Sequence, residues 1–268
     1  MLVDDPDHPL LADFRALNDP AERRRVERAG DYFVVEGVIA IERLLGLPQW
    51  HVRSLALLPR VAERLAPALA GRAIPLAVAS EQVLRDVVGF DIHRGALASV
   101  DRRPPLGVGD LAASGDMPLL VAAEGLNDHE NLGALYRNAA AFGCAGVVLD
   151  RTCADPFYRR SVRVSQGNVL AIPTATMVSL AELHRHGIAT VALSPASPVR
   201  LADLDRSALG TGAVAVLVGA EGPGLTAATM AAATHCAAIP MAPGVDSLNV
   251  ATAAAIALHH LRSVRDDA

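Results

Sequence analysis

Short apolar runs alternate along the chain with polar, glycine-rich and proline-rich stretches, and the length of each run sets the element it predicts. In the first hundred residues, Tyr32 to Val35, Val52 to Leu58, Ile74 to Val78 and Gly95 to Val100 have strand length. Between them, Val38 to Leu45 and Val61 to Leu69 read as helices, and another follows the Ser80 cap. Asp19-Pro20-Ala21-Glu22 places an N-cap acid, a first-turn proline and an acid three residues after the cap, so a helix is expected there, ending at Gly30. The paired prolines of Asp101-Arg102-Arg103-Pro104-Pro105 cannot donate ladder hydrogen bonds and hold the chain extended, as a linker would. Beyond it, with regular structure starting near Met117, Leu119 to Ala123, Ala145 to Leu149, Ile188 to Leu193, Ala213 to Val218 and Cys236 to Ile239 are strand-like. Asn131 to Phe142 and the Ala- and Leu-rich Ser247 to Leu261 are helical. Unbroken apolar strands separated by helices predict parallel pairing. The expectation is two α/β units, residues 1–105 and 106–268, the second with a mostly parallel sheet.

Composition narrows the class. At 268 residues, with 51% hydrophobic and 20% charged residues, the chain is expected to be a soluble globular protein. No run approaches the roughly 18 apolar residues of a membrane span, and Met1 to Asp13 is acidic where a signal peptide is basic and then apolar, so a cytoplasmic location is expected. All 24 basic residues are Arg and the net charge is -5, so any binding of nucleic acid must rest on local clusters such as Arg23, Arg24, Arg25, Arg28 and Arg94. Cys144, Cys153 and Cys236 form no CxxC pair, and none of the nine His has an acidic or Cys partner at ligand spacing, so neither a disulfide frame nor a metal is expected.

In open parallel sheets, ligands bind beyond the carboxyl ends of the strands, which directs attention to three segments. The first runs from Asn127 to Asn138, a polar loop entering a helix. Its Asn131 and Arg137 lie six residues apart, off a common helical face unless Asn131 still belongs to the loop. The second, Gly219-Ala220-Glu221-Gly222-Pro223-Gly224-Leu225-Thr226, has three glycines that let backbone approach a ligand. Its spacing is not a dinucleotide fingerprint, and Pro223 removes an anion-binding N–H, so a nicotinamide oxidoreductase is disfavoured. The third runs from Ile239 to Val250 and enters the last helix through a cap at Ser247 or Asp246. There Asn249, disfavoured just inside a helix, points to a site hydrogen bond.

Taken together, NLGALYRNAAAFG, LVGAEGPGL and IPMAPGVDSLNVATAAAIAL resemble, in order and spacing, the three motifs of the SpoU/TrmH family of SPOUT RNA 2'-O-ribose methyltransferases. CADPFYRRSVRVSQGNVLAIP resembles the family's Arg-x-Ser-x-Gly stretch before a proline. FVVEGVIAIERLL and the His93-Arg94-Gly95 turn resemble its ribosomal-protein-like RNA-binding domain. The resemblance implies a C-terminal trefoil-knotted domain behind a small RNA-binding domain, a homodimer, and S-adenosylmethionine held mainly by backbone groups in the knot. Gly219, Ile239 and Leu248 match its cofactor positions, with Gly224 and Met241 beside them. Arg137, Asn131, Glu221, Ser247 and Asn249 match its polar catalytic positions. The implied partner is a structured RNA, ribosomal in preference to transfer RNA, and the 3% aromatic content argues against base stacking along single strands. The competing expectation is a catalytically inactive RNA-binding module of the same fold.

Overall fold

The computed structural model describes residues 1–15, 17–19, 27, 29–92, 95–115 and 117–266. Arg23, Arg24, Arg25, Arg28 and Arg94 lie outside the described residues. Contacts divide the chain into two units, Met1–Pro104 with Phe157–Ala171, and Pro105–Pro156 with Ile172–Ala268.

The first unit opens with β1 (Leu2–Val3) and a 3-10 helix (Pro9–Phe14). It continues through β2 (Tyr32–Glu36), α1 (Val38–Leu45), β3 (Val52–Leu57), α2 (Pro59–Leu69), β4 (Leu76–Ala79), α3 (Glu81–Val88) and β5 (Ala96–Asp101). Its sheet has the order β1-β4-β3-β5-β2, parallel along β1-β4-β3 and antiparallel along β3-β5-β2. Gly37, at φ 105°, turns β2 into α1, a conformation costly to any residue with a Cβ. Ser80 caps α3, its hydroxyl accepting the Val83 amide at 3.2 Å.

The second unit begins with α4 (Val108–Ala112), β6 (Leu119–Glu124), α5 (His129–Ala141) and β7 (Gly146–Asp150). The chain then contributes α6 (Arg159–Val164) and α7 (Asn168–Ala171) to the first unit. The second unit resumes with β8 (Thr174–Met177), α8 (Leu180–Arg185), β9 (Ala189–Leu193), a 3-10 turn (Leu201–Asp203) and α9 (Arg206–Leu209). It ends with β10 (Val214–Gly219), α10 (Ala227–Ala232), β11 (His235–Ala237) and α11 (Val250–Asp266). All six strands pair in parallel in the order β11-β9-β10-β6-β7-β8. The central strands β6 and β10 are buried at almost every position, which explains their unbroken apolar sequence. One face packs Leu120, Ala122, Ala215 and Leu217 with Leu183 of α8. The alternate residues turn to the other face, where α5 and α11 pack on each other and on the strands.

Two of the departures from the sequence pattern concern the C-terminal half. The last helix starts at Val250, three residues later than Ser247, and runs on to Asp266. Residues 157–171, assigned by position to the second unit, group with the first. Phe157 packs on Phe33 and Trp50 at centroid distances of 4.9 and 5.3 Å, the Trp50 indole donates to the Leu170 carbonyl at 2.8 Å, and Arg159 and Arg163 both pair with buried Glu36. These partners lie about a hundred residues away in sequence, beyond the reach of any local periodicity.

Candidate active site

Apart from Arg137, the candidate residues gather at the carboxyl ends of β6, β9, β10 and β11. As β10 ends, the chain doubles back on itself. A Cβ on Gly219 would fall 2.1 Å from the Gly224 carbonyl carbon and 2.2 Å from the Leu225 nitrogen, so no side chain fits there. The Gly224 amide closes the turn onto the Ala220 carbonyl at 3.0 Å, with Gly222 and Gly224 at φ 85° and 69°. Leu225 is buried below, and the Thr226 amide donates to Glu124 at 3.3 Å, fixing the loop to the end of β6.

This turn, the loop 239–249 and the end of β9 enclose a cavity of about 670 Å³. That volume lies within the ordinary range for small-molecule sites, roughly 300–1,000 Å³. Gly219, Gly224, Ile239, Met241 and Leu248 line it, together with Glu221, Ser247 and Asn249. Leu193, Ser194 and Pro195 line it too, although no motif marks them. Their place just past a parallel strand was the one signal available in the sequence.

Helix α5 begins beside these residues. The Asp128 carboxylate caps it, accepting the Asn131 amide at 2.8 Å, so Asn131 stands in the first turn and not in the loop. Its side-chain N–H donates to Glu221, while its Oδ1 accepts from Asn249 Nδ2 at 2.7 Å. Asn249 Oδ1 in turn accepts the Ala251 and Thr252 amides at 3.0 and 3.2 Å, which makes Asn249 the cap of α11 in place of Ser247 or Asp246. Asn138 Nδ2 also donates to the Ala251 carbonyl at 2.8 Å, joining the two helices. Glu221, Asn131 and Asn249 thus form one hydrogen-bonded chain at the cavity.

Arg137 stands apart. It is exposed on α5 and forms no ion pair or hydrogen bond among the described residues. With Asn131 inside the helix, six residues set Arg137 about 120° round the axis and about 9 Å further along. Ser247 lines the cavity at an exposed position. Among the described residues, no group of His, Cys, Asp or Glu side chains is arranged to hold a metal ion, and no helix is long and apolar enough to cross a membrane.

Comparison with known proteins agrees with this architecture. The sequence profile of the SpoU rRNA Methylase family matches residues 118–259. A Mycobacterium tuberculosis protein named as a tRNA/rRNA methyltransferase is 40% identical over 261 residues, 96% of this chain and 90% of its own length. A 23S rRNA (guanosine-2'-O-)-methyltransferase of Acinetobacter baylyi is 29% identical over 238 residues, 83% of this chain and 94% of its own. The solved structure of an AdoMet-bound rRNA methyltransferase from Sinorhizobium meliloti superposes with a TM-score of 0.80 at 26% identity, covering 98% of this chain and 97% of that one.

Proposed function

The chain belongs to the SpoU rRNA methylase family, and from that premise we propose that it methylates a ribose 2'-hydroxyl of a structured RNA, using S-adenosylmethionine. The observation that carries this reading is the glycine-walled cavity with the Glu221–Asn131–Asn249 chain beside it. The cavity fits the cofactor. It has the right size, the Gly219 position leaves backbone exposed where a side chain cannot stand, and the lining mixes apolar Leu193, Ile239, Met241 and Leu248 with polar groups. Gly219, Gly224, Ile239, Met241 and Leu248 would hold it. When bound, the cofactor supplies an electrophilic methyl group.

The chain's own task is positioning and charge stabilisation. Asn131 is fixed by partners on both ends of its amide, so its orientation is set before substrate arrives. Glu221 and Asn249 orient the ribose, with Ser247 on the cavity wall. Arg137 presents a planar guanidinium fork that orients a phosphate and stabilises the developing alkoxide, while the hydroxyl's proton passes to solvent. Exposed and, among the described residues, unpaired, its side chain is free to meet RNA. Lysine at 137 keeps the charge but loses the planar fork, and is expected to slow transfer by about tenfold to a hundredfold with cofactor affinity unchanged. A wild-type rate in Arg137→Ala removes the role.

Residues 1–105, with residues 157–171 packed into the same unit, are read as the RNA-binding domain and the rest of 106–268 as the methyltransferase domain. The C-terminal segment is read as knotted. His260 Nε2 lies 3.0 Å from the Leu204 carbonyl, a contact consistent with the last helix lying against the loop that such a knot threads. A homodimer is proposed on the Ala-rich last helix, where Ile256 is 40% exposed. Ribosomal RNA is favoured over transfer RNA, and the cytoplasm is the proposed location. The test is transfer of labelled methyl from S-adenosylmethionine to protein-free ribosomal and transfer RNA. Incorporation into ribosomal RNA is expected. Cofactor binding without transfer to any RNA would favour an inactive RNA-binding module.

A further inference from the structure

Loop order next to α5 has a specific source. Asp150, the last residue of β7, turns its carboxylate toward the neighbouring loop after β6, and its Oδ1 accepts the amides of Gly125 at 3.2 Å, Thr152 at 3.0 Å and Cys153 at 2.9 Å. The Thr152 hydroxyl lies 2.9 and 2.8 Å from the two carboxylate oxygens. Cys153 extends the contact. Its Sγ accepts the Leu126 amide at 3.3 Å and donates to the Ala123 carbonyl at 3.4 Å, while the Ala154 amide donates to the Leu126 carbonyl at 2.9 Å. Burial, reinforced by Asp150, pushes the Cys153 thiol up to about 12, so it keeps the proton it donates.

Loop residues 125 and 126 are therefore pinned from one side, and the chain passes directly from them to the Asp128 cap and Asn131. Gly125, at φ 67°, makes the turn that brings its amide to Asp150. We propose that Asp150 is a positioning residue for methyl transfer: it fixes the loop 125–128, and through it the start of α5, so that Asn131 meets Glu221 and Asn249 at the cavity. This rests on the methyltransferase reading above. No residue of the loops 125–128 or 150–154 lines the cavity, whose walls come from residues between Leu193 and Ala253. The role therefore separates catalysis from cofactor binding. Displacing a reacting group by about 1 Å is enough to cost roughly a hundredfold in rate.

The test uses the full chain with S-adenosylmethionine and ribosomal RNA, comparing wild type, Asp150→Ala and Asp150→Asn. The alanine variant is expected to lose about tenfold to a hundredfold in kcat while calorimetry gives cofactor affinity within about twofold of wild type. Asparagine retains an oxygen for the three amides and is expected to recover most of the rate. Hydrogen exchange supplies a readout independent of activity. Amides 125–131 in Asp150→Ala should exchange at least about tenfold faster, with the amides of α11 unchanged. If Asp150→Ala does not fold, Cys153→Ala, which removes the acceptor for the Leu126 amide and the donor to the Ala123 carbonyl, should show the same pattern at smaller amplitude. Unchanged exchange at 125–131, a wild-type kcat, parallel loss of cofactor affinity, or an asparagine variant as slow as alanine would each overturn the proposal. A wild-type protein that transfers no methyl to RNA, yet shows the exchange pattern, counts against the methyltransferase reading and leaves the loop assignment standing.

Discussion

Asn131 is held at three points, because one amide satisfies a carboxylate and a second amide while its backbone N–H is held by the Asp128 cap. Gly219 is constrained in the opposite sense, by the absence of room. An alanine there must push apart two backbone segments whose atoms stand 2.1 and 2.2 Å from the new carbon. Backbone in a tight turn yields little, so Gly219→Ala is expected to weaken S-adenosylmethionine binding by at least about tenfold in calorimetry. Wild-type affinity would show that this turn does not wall the cofactor site. At this scale the sequence was legible where chemistry is local. Glycine spacing marked the turn at 219–224, and an asparagine at a helix start marked Asn249. It was silent where contact is long-range: nothing in the chain order shows that Asn131 meets Glu221 ninety residues later, or that Asp150 supports both loops.

Among the elements, α11 has the most informative terminus. Asn249 both caps the helix and donates to Asn131, so one side chain ties the helix start to the candidate site. Aspartate keeps the cap acceptor and favours the helix dipole, but it cannot donate to Asn131 Oδ1. Asn249→Asp is expected to leave the melting temperature within a few degrees of wild type, about 1 kcal/mol or less in stability, while transfer falls by about tenfold or more. Equal loss of stability and rate would reduce Asn249 to a cap alone. Long apolar strands such as β6 and β10 were plain in the sequence because burial on both faces leaves no polar interruption. Strand β8 was not, since Thr174-Ala-Thr-Met177 offers only two apolar positions at the sheet edge. Helices α8 and α10, six residues each, are too short to show a helical period.

At the scale of the molecule, a chain of net charge -5 cannot attract RNA uniformly, so affinity must come from local arginine clusters and weaken with salt as counterions are released. Neutralising Arg23, Arg24 and Arg28 together is expected to lower the slope of log affinity against log salt by about two, if these residues meet phosphates. An unchanged slope would move recognition elsewhere on the protein. The division into units bears on experimental design as well. Residues 157–171 lie in the second half of the sequence but pack their Phe157, Val162 and Leu170 into the first unit, so a fragment starting at 117 would strand these apolar groups, and the full chain is the right reagent. The central claim concerns which atom receives the methyl group, and it is tested most directly by digesting RNA methylated by the full chain and identifying the labelled nucleoside by mass spectrometry. A 2'-O-methylated ribose, dependent on S-adenosylmethionine and on Arg137, is the predicted product. A methyl group on a base would contradict it.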